Sequence, residues 1–110
     1  MRTVFADGGQ QQNAGMIELR EHIPYMPAYI EPRTPVEQKL AAIWEKVLGV
    51  DRVGMADRFD YLGGNSLLAA IIFSDIEKSF TIKIPMATLL QAPTIELLAQ
   101  KVQGLIDLKG

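Results

Sequence analysis

LGGNSLLAAIIFSDIEKSF (residues 62–80) decides the fold. Two glycines, Gly63 and Gly64, are followed by Asn65, Ser66 and a run without Gly or Pro. Leu67, Leu68, Ala69, Ala70, Ile71, Ile72, Phe73 and Ile76 make that run apolar nearly all round. It predicts a helix from Asn65 or Ser66 to about Ser79. A helix of this kind is either central in a bundle or keeps an apolar patch for a partner.

Upstream, Thr34-Pro35-Val36-Glu37 has the form of a capping box, with Pro35 suited to the first helical position. Val36, Leu40, Ile43, Trp44 and Val47 follow at helical spacing, and Gly49 is a C-terminal stop, so a helix is predicted over Pro35 to Leu48. Trp44 belongs to its core stripe. The long connection from Val50 to Gly64 contains Val53, Met55, Phe59, Tyr61 and Leu62, which favour a packed loop. Met55 and Met86 are expected to fill core gaps, and Asp57, Arg58 and Asp60 to form a solvated charged cluster.

Downstream, Thr81 to Ile84 alternates like a strand but has no partner strand, and Pro85 ends it. Met86 to Gln91 is one short helical turn stopped by Pro93. Thr94 caps a last helix with Ile95, Leu98, Val102, Leu105 and Ile106 on its buried face, and Glu96 near its positive end. Three long helices and one short one, with a long loop between the first two, make an all-α four-helix bundle.

The chain has 110 residues, room for one domain. Residues 1–30, with GGQQQNAG and closely spaced prolines, are expected to be a flexible tail and linker, with a short helical turn at Ile17 to His22. Residues 31–110 form the domain. A net charge of −2 gives no electrostatic case for nucleic acid or a membrane surface. No cysteine and a single histidine, His22, leave no thiolate or multi-histidine metal site. No leader-like or membrane-spanning apolar run is present, so a cytoplasmic monomer is expected.

The chemistry-bearing stretch is Gly63-Gly64-Asn65-Ser66. The glycines permit a tight turn and a close approach by another macromolecule. The serine at a helix start has N–H groups and the helix dipole to accommodate a new anion, such as a phosphate or phosphodiester. The same residues also fit an ordinary capped helix start. They do not fit a nucleophile elbow, because Leu68 stands where glycine is needed. No catalytic residue is assigned.

TPVEQKLAAIWEKVLGVDRVGMADRFDYLGGNSLLA (34–69), followed by IPMATLLQAPTIELLA (84–99), resembles the peptidyl carrier (thiolation) domains of nonribosomal peptide synthetases. The resemblance runs from about Glu31 to Val102. The three segments, in order, are far more specific than LGGNS alone. It implies a four-helix bundle in which Ser66 receives 4′-phosphopantetheine from coenzyme A, with Gly63, Gly64 and Asn65 as the attachment turn. It also implies a non-catalytic role. A phosphopantetheinyl transferase modifies the serine, an adenylating enzyme loads the thiol with an aminoacyl or other acyl group, and condensation, tailoring or thioesterase enzymes receive it. Leu67, Leu68 and Ile71 cannot all be inside, and are expected to include a docking patch for these partners.

The chain also departs from the family. Asp60 follows Phe59 where relatives often have a second phenylalanine, so Tyr61 is expected to replace the missing anchor. Asn65 stands where His or Asp is common, and Ile71 where relatives commonly have a polar residue. A fatty-acid- or polyketide-type acyl carrier is one alternative. Ten acidic and nine basic residues from Glu31 onward fit that strongly acidic subtype poorly. A non-covalent helical interaction module is the other. ELREHIPYMPAYIEP (18–32) resembles the end of an adenylation domain, shortened and without its lysine-bearing segment, and a free-standing carrier is expected.

Overall fold

The structure is a computed structural model that describes residues 27–109. The expected helical turn at Ile17 to His22 and the glycine-rich tail lie outside the described residues. Four helices follow one another: α1 (Pro35–Leu48), α2 (Ser66–Phe80), α3 (Thr88–Gln91) and α4 (Ile95–Lys109). α1 packs against both α2 and α4, and α3 against α4.

Local chemistry sets the helix ends. Thr34 Oγ1 accepts the N–H of Glu37 at 3.1 Å, and Glu37 Oε1 accepts the N–H of Thr34 at 3.0 Å. Gly49, in the left-handed region at φ 68°, closes α1. Thr81 performs the same role for α2 at φ 54°, an unusual task for a β-branched residue, with its N–H on the Glu77 carbonyl. Two helical glutamates then hold the chain that leaves each helix. Glu45 Oε2 accepts the N–H of Val53 at 2.9 Å, and Glu77 Oε2 accepts that of Ile84 at 3.0 Å.

The core is one cluster. Leu40, Ile43 and Trp44 of α1 meet Ala69, Ile72, Phe73 and Ile76 of α2 and Ile95, Leu98 and Val102 of α4. The four α2 residues sit at i, i+3, i+4 and i+7, so the inner stripe of that helix is selected and its outer face is left over. Ile82 and Ile84 are buried without forming a strand. Met55 is buried as expected, but Met86 is exposed and fills no core gap.

The loop between α1 and α2 is stitched to the α3–α4 junction. Phe59 N–H donates to Pro93 O at 2.8 Å, Glu96 N–H donates to Met55 O at 3.1 Å, and Arg58 and Thr94 form an isolated bridge. Val53, Met55, Phe59 and Leu62 are buried beneath it. Asp57 is fully buried, contrary to its expected place in a solvated cluster. Its Oδ2 accepts the Gly54 N–H at 2.8 Å, so the carboxylate serves as an internal brace for the loop. Residues on the linker side, Tyr29 and Ile30, lie against Gly54, and Ile30 O accepts the N–H of Met55 at 2.8 Å. Arg52 stacks 4.1 Å from the Tyr29 ring centroid.

Candidate functional site

The turn before α2 is shaped from inside. The Phe59 ring packs edge-on against Trp44, with centroids 5.6 Å apart and planes at 69°. Its other side lies under Gly64, where a Cβ would come within 2.3 Å of the ring. The second glycine is thus required by Phe59 and not by an external partner. Gly63 has φ +94°, a conformation that a side chain rarely adopts, and open space beside it. Gly64 N–H donates to Phe59 O at 3.1 Å and Gly63 N–H to Asp60 O at 3.2 Å. Phe59 thus both wedges Gly64 with its ring and accepts its N–H.

Asn65 is the N-cap of α2: its Oδ1 accepts the Leu68 N–H at 3.0 Å. Ser66 is the first helical residue, so it is not itself the cap, and its side chain is exposed. The N–H groups of Ser66 and Leu67 belong to the first turn, where no carbonyl of the same helix reaches them. The first turn of α2 contains no acid. An anion at this helix start would meet the positive end of a fifteen-residue helix whose own first turn holds no carboxylate.

A groove of about 500 Å³ opens beside the serine. Arg58, Asp60 and Asn65 form one side, and Met86, Leu90 and Pro93 the other. Arg58 Nε and Asp60 Oδ1 are 3.1 Å apart. Hydrogen bonding from Arg58 holds the Asp60 carboxyl below its ordinary range, and Asp60 in turn raises Arg58. The rim therefore holds one balanced pair and brings no net charge to the groove.

The expected docking residues divide. Leu67 is 71% exposed and Ile71 43%, whereas Leu68 packs partly buried against the core. Tyr61 is 44% exposed, with Arg58 5.5 Å from its ring centroid, so it is no substitute anchor: Phe59 fills that role alone. Two exposed residues were not expected here, Met86 and Leu90, the latter 87% exposed. A four-residue helix bracketed by Pro85 and Pro93 cannot bury apolar side chains on every face, which was the available signal. Among the described residues, no group of three His, Cys, Asp or Glu is placed to hold a metal, and no helix is long and apolar enough to cross a membrane.

Comparison with known proteins shows the family. Residues 38–102 match the family model described as phosphopantetheine attachment site. Tyrocidine synthase 2 of Brevibacillus parabrevis is 46% identical over 76 residues, 69% of this chain and 2% of that protein. Gramicidin S synthase 2 of Brevibacillus brevis is 43% identical over 74 residues, 67% of this chain and 2% of that protein. The chain therefore spans only a small fraction of these curated relatives. Among solved structures, it resembles a prototype for the peptidyl carrier domains of modular peptide synthetases (41% identity, TM-score 0.62, 68% of this chain and 99% of that one). It also resembles a peptidyl carrier protein solved in complex with the phosphopantetheine transferase Sfp and coenzyme A (39% identity, TM-score 0.67, 69% and 99%).

Proposed function

The chain belongs to the phosphopantetheine attachment family as a carrier domain of the peptidyl type, and we propose that Ser66 is the residue that bears the arm. A carrier of this family tethers an acyl or peptidyl group on covalent 4′-phosphopantetheine derived from coenzyme A. The arm supplies a thiol, the group that this cysteine-free chain lacks.

The observation that carries the assignment is the position of Ser66: exposed, first in α2, behind a turn locked by Phe59, at a helix start without an acid. The residues present fit the arm. The N–H groups of the first turn face the site of its phosphodiester, and the groove offers Met86, Leu90 and Pro93 to its apolar part. Asn65 caps the helix that the serine opens, Phe59 fixes the turn before it, and Gly63 has open space beside it. On this reading the domain serves as substrate for its partners and raises the effective concentration of its cargo at each.

Those partners are, on this proposal, a phosphopantetheinyl transferase, an adenylating enzyme, and condensation, tailoring or thioesterase enzymes. Leu67 and Ile71 on α2, and Met86 and Leu90 at the groove beside Ser66, are the exposed apolar side chains that we propose they meet. We read the domain as a cytoplasmic monomer, with the arm-bearing module from residue 31 onward and Tyr29 and Ile30 of the linker packed against its loop.

Intact-mass measurement after incubation with coenzyme A and a promiscuous transferase tests the assignment. One arm is expected on the wild type and none on Ser66→Ala. Because Asn65 and not Ser66 caps the helix, the variant keeps its N-cap hydrogen bond and its circular dichroism. Modification of a folded Ser66→Ala protein refutes the assignment.

A further inference from the structure

The end of the bundle away from Ser66 carries a second surface. Along the 15 residues of α2 the distance from Ser66 is about 21 Å. There a trough of about 650 Å³ opens between the end of α2, residues 81–83 and the end of α4, with Ile82, Leu105 and Leu108 as its apolar lining. A second trough, about 350 Å³, lies between Ile84, Pro85, α3 and α4, and shares Leu105 and Leu108 with the first. The α4 residues in the two troughs are Gln100, Lys101, Gly104, Leu105, Leu108 and Lys109. Their spacing places them on one helix face about 13 Å long. Leu108 is 83% exposed and stands as a ridge between the troughs, while Gly104 leaves open space beside it.

The charge on this face is one-sided. Lys78, Lys83 and Lys109 line the first trough and Lys101 the second. The one acid in either lining is Glu77, whose Oε2 already accepts the Ile84 N–H. Lys78 and Lys109 stand in the last turns of α2 and α4, and Lys109 Nζ donates to Thr81 O. Lys83 and Lys101 lie outside any last helical turn and are exposed. A chain with a net charge of −2 thus gathers four cations around an apolar double trough.

We propose that this face docks an acidic amphipathic helix of a partner protein. Apolar side chains one to two turns apart enter the troughs on either side of Leu108, and flanking carboxylates reach the lysines. A flat anionic bilayer fills neither trough, which favours the helix. The first trough lies at the opposite end of α2 from Ser66, and the second shares no lining residue with the Ser66 groove, although α3 stands between them.

The probe is a synthetic peptide of about 18 residues, five helical turns, with leucine at i, i+3, i+4 and i+7 positions and glutamate elsewhere. In 1H–15N spectra its addition is expected to shift amides at Lys78, Lys83, Lys101, Gly104, Leu105 and Leu108, less so as salt rises. Lys83→Glu/Lys101→Glu is expected to weaken the apparent affinity about tenfold, with circular dichroism and Ser66 modification unchanged. Leu108→Gln, which leaves every charge in place, weakens it too. The proposal is overturned if shifts fall only around Leu67 and Leu90, or if a lysine-for-glutamate peptide binds equally. Unaltered affinity in the double variant, or preference for phosphatidylserine vesicles over the peptide, overturns it as well.

Discussion

α1 and α2 both begin with a side chain that accepts the N–H three residues on: Thr34 Oγ1 from Glu37 at 3.1 Å, and Asn65 Oδ1 from Leu68 at 3.0 Å. Beyond that bond they differ. At α1 the Glu37 carboxylate folds back onto the N–H groups of Arg33 and Thr34, so an internal anion closes the positive end. At α2 no acid stands in the first turn, and the entering chain is set by Gly64, wedged on Phe59, after Gly63 at positive φ. An internally neutralised start is a structural end. A start fixed from beneath, with no carboxylate of its own, suits a helix whose first serine acquires a phosphodiester.

The largest expected effect comes from removing the wedge. Phe59→Ala deletes the ring between Trp44 and Gly64 and is expected to cost about 3–5 kcal/mol. In a domain this small that approaches the whole stability. Urea unfolding followed by Trp44 fluorescence measures it. A loss under about 1 kcal/mol would mean that the turn holds its own shape, and the contrast with α1 would weaken.

The two caps come next. Thr34→Ala and Asn65→Ala are each expected to cost about 0.5–2 kcal/mol in the same experiment. Only Asn65→Ala is expected to slow transferase modification, because it alone adjoins Ser66. Equal rates in the two variants would show that the α2 cap has no part in presenting the serine.

The smallest effect is the acid limb of α1. Hydrogen bonds from the Thr34 and Arg33 N–H groups, the former the larger cause, hold the Glu37 carboxyl below its ordinary range. The folded state therefore favours the ionised form. Its contribution is complete above the unfolded carboxyl pKa and is lost as pH falls through the lower folded value. Glu37→Gln is expected to remove this component from a plot of melting temperature against pH. α2 has no counterpart in its first turn, so an unchanged acid limb in the variant would erase the distinction between the starts.

Much of this was legible in the sequence because helices write their boundaries in local chemistry. Thr34-Pro35-Val36-Glu37, Gly49 and the Trp44 stripe define α1, and Gly-Gly-Asn before an apolar run places Ser66 at a helix start. The loop was harder, since side-chain direction there follows no period. Asp57 looks like its solvated neighbours Arg58 and Asp60, yet it is buried because a backbone N–H three residues back is its partner. Phe59 and Tyr61 are equally aromatic, but only the first faces Trp44 and Gly64. The shortness of α3 between Pro85 and Pro93 signals that some of its apolar residues are exposed, but only its packing on α4 beside the groove decides that Met86 and Leu90 are among them.

The most direct test is to locate the arm. Wild-type protein treated with coenzyme A and a transferase, then digested and sequenced by tandem mass spectrometry, is expected to carry phosphopantetheine on Ser66. Ser74 and Ser79, in the body of α2 and far from the glycine turn, should be unmodified. An arm found on either of them, or no arm on a folded protein, would contradict the assignment of this helix start as the attachment site.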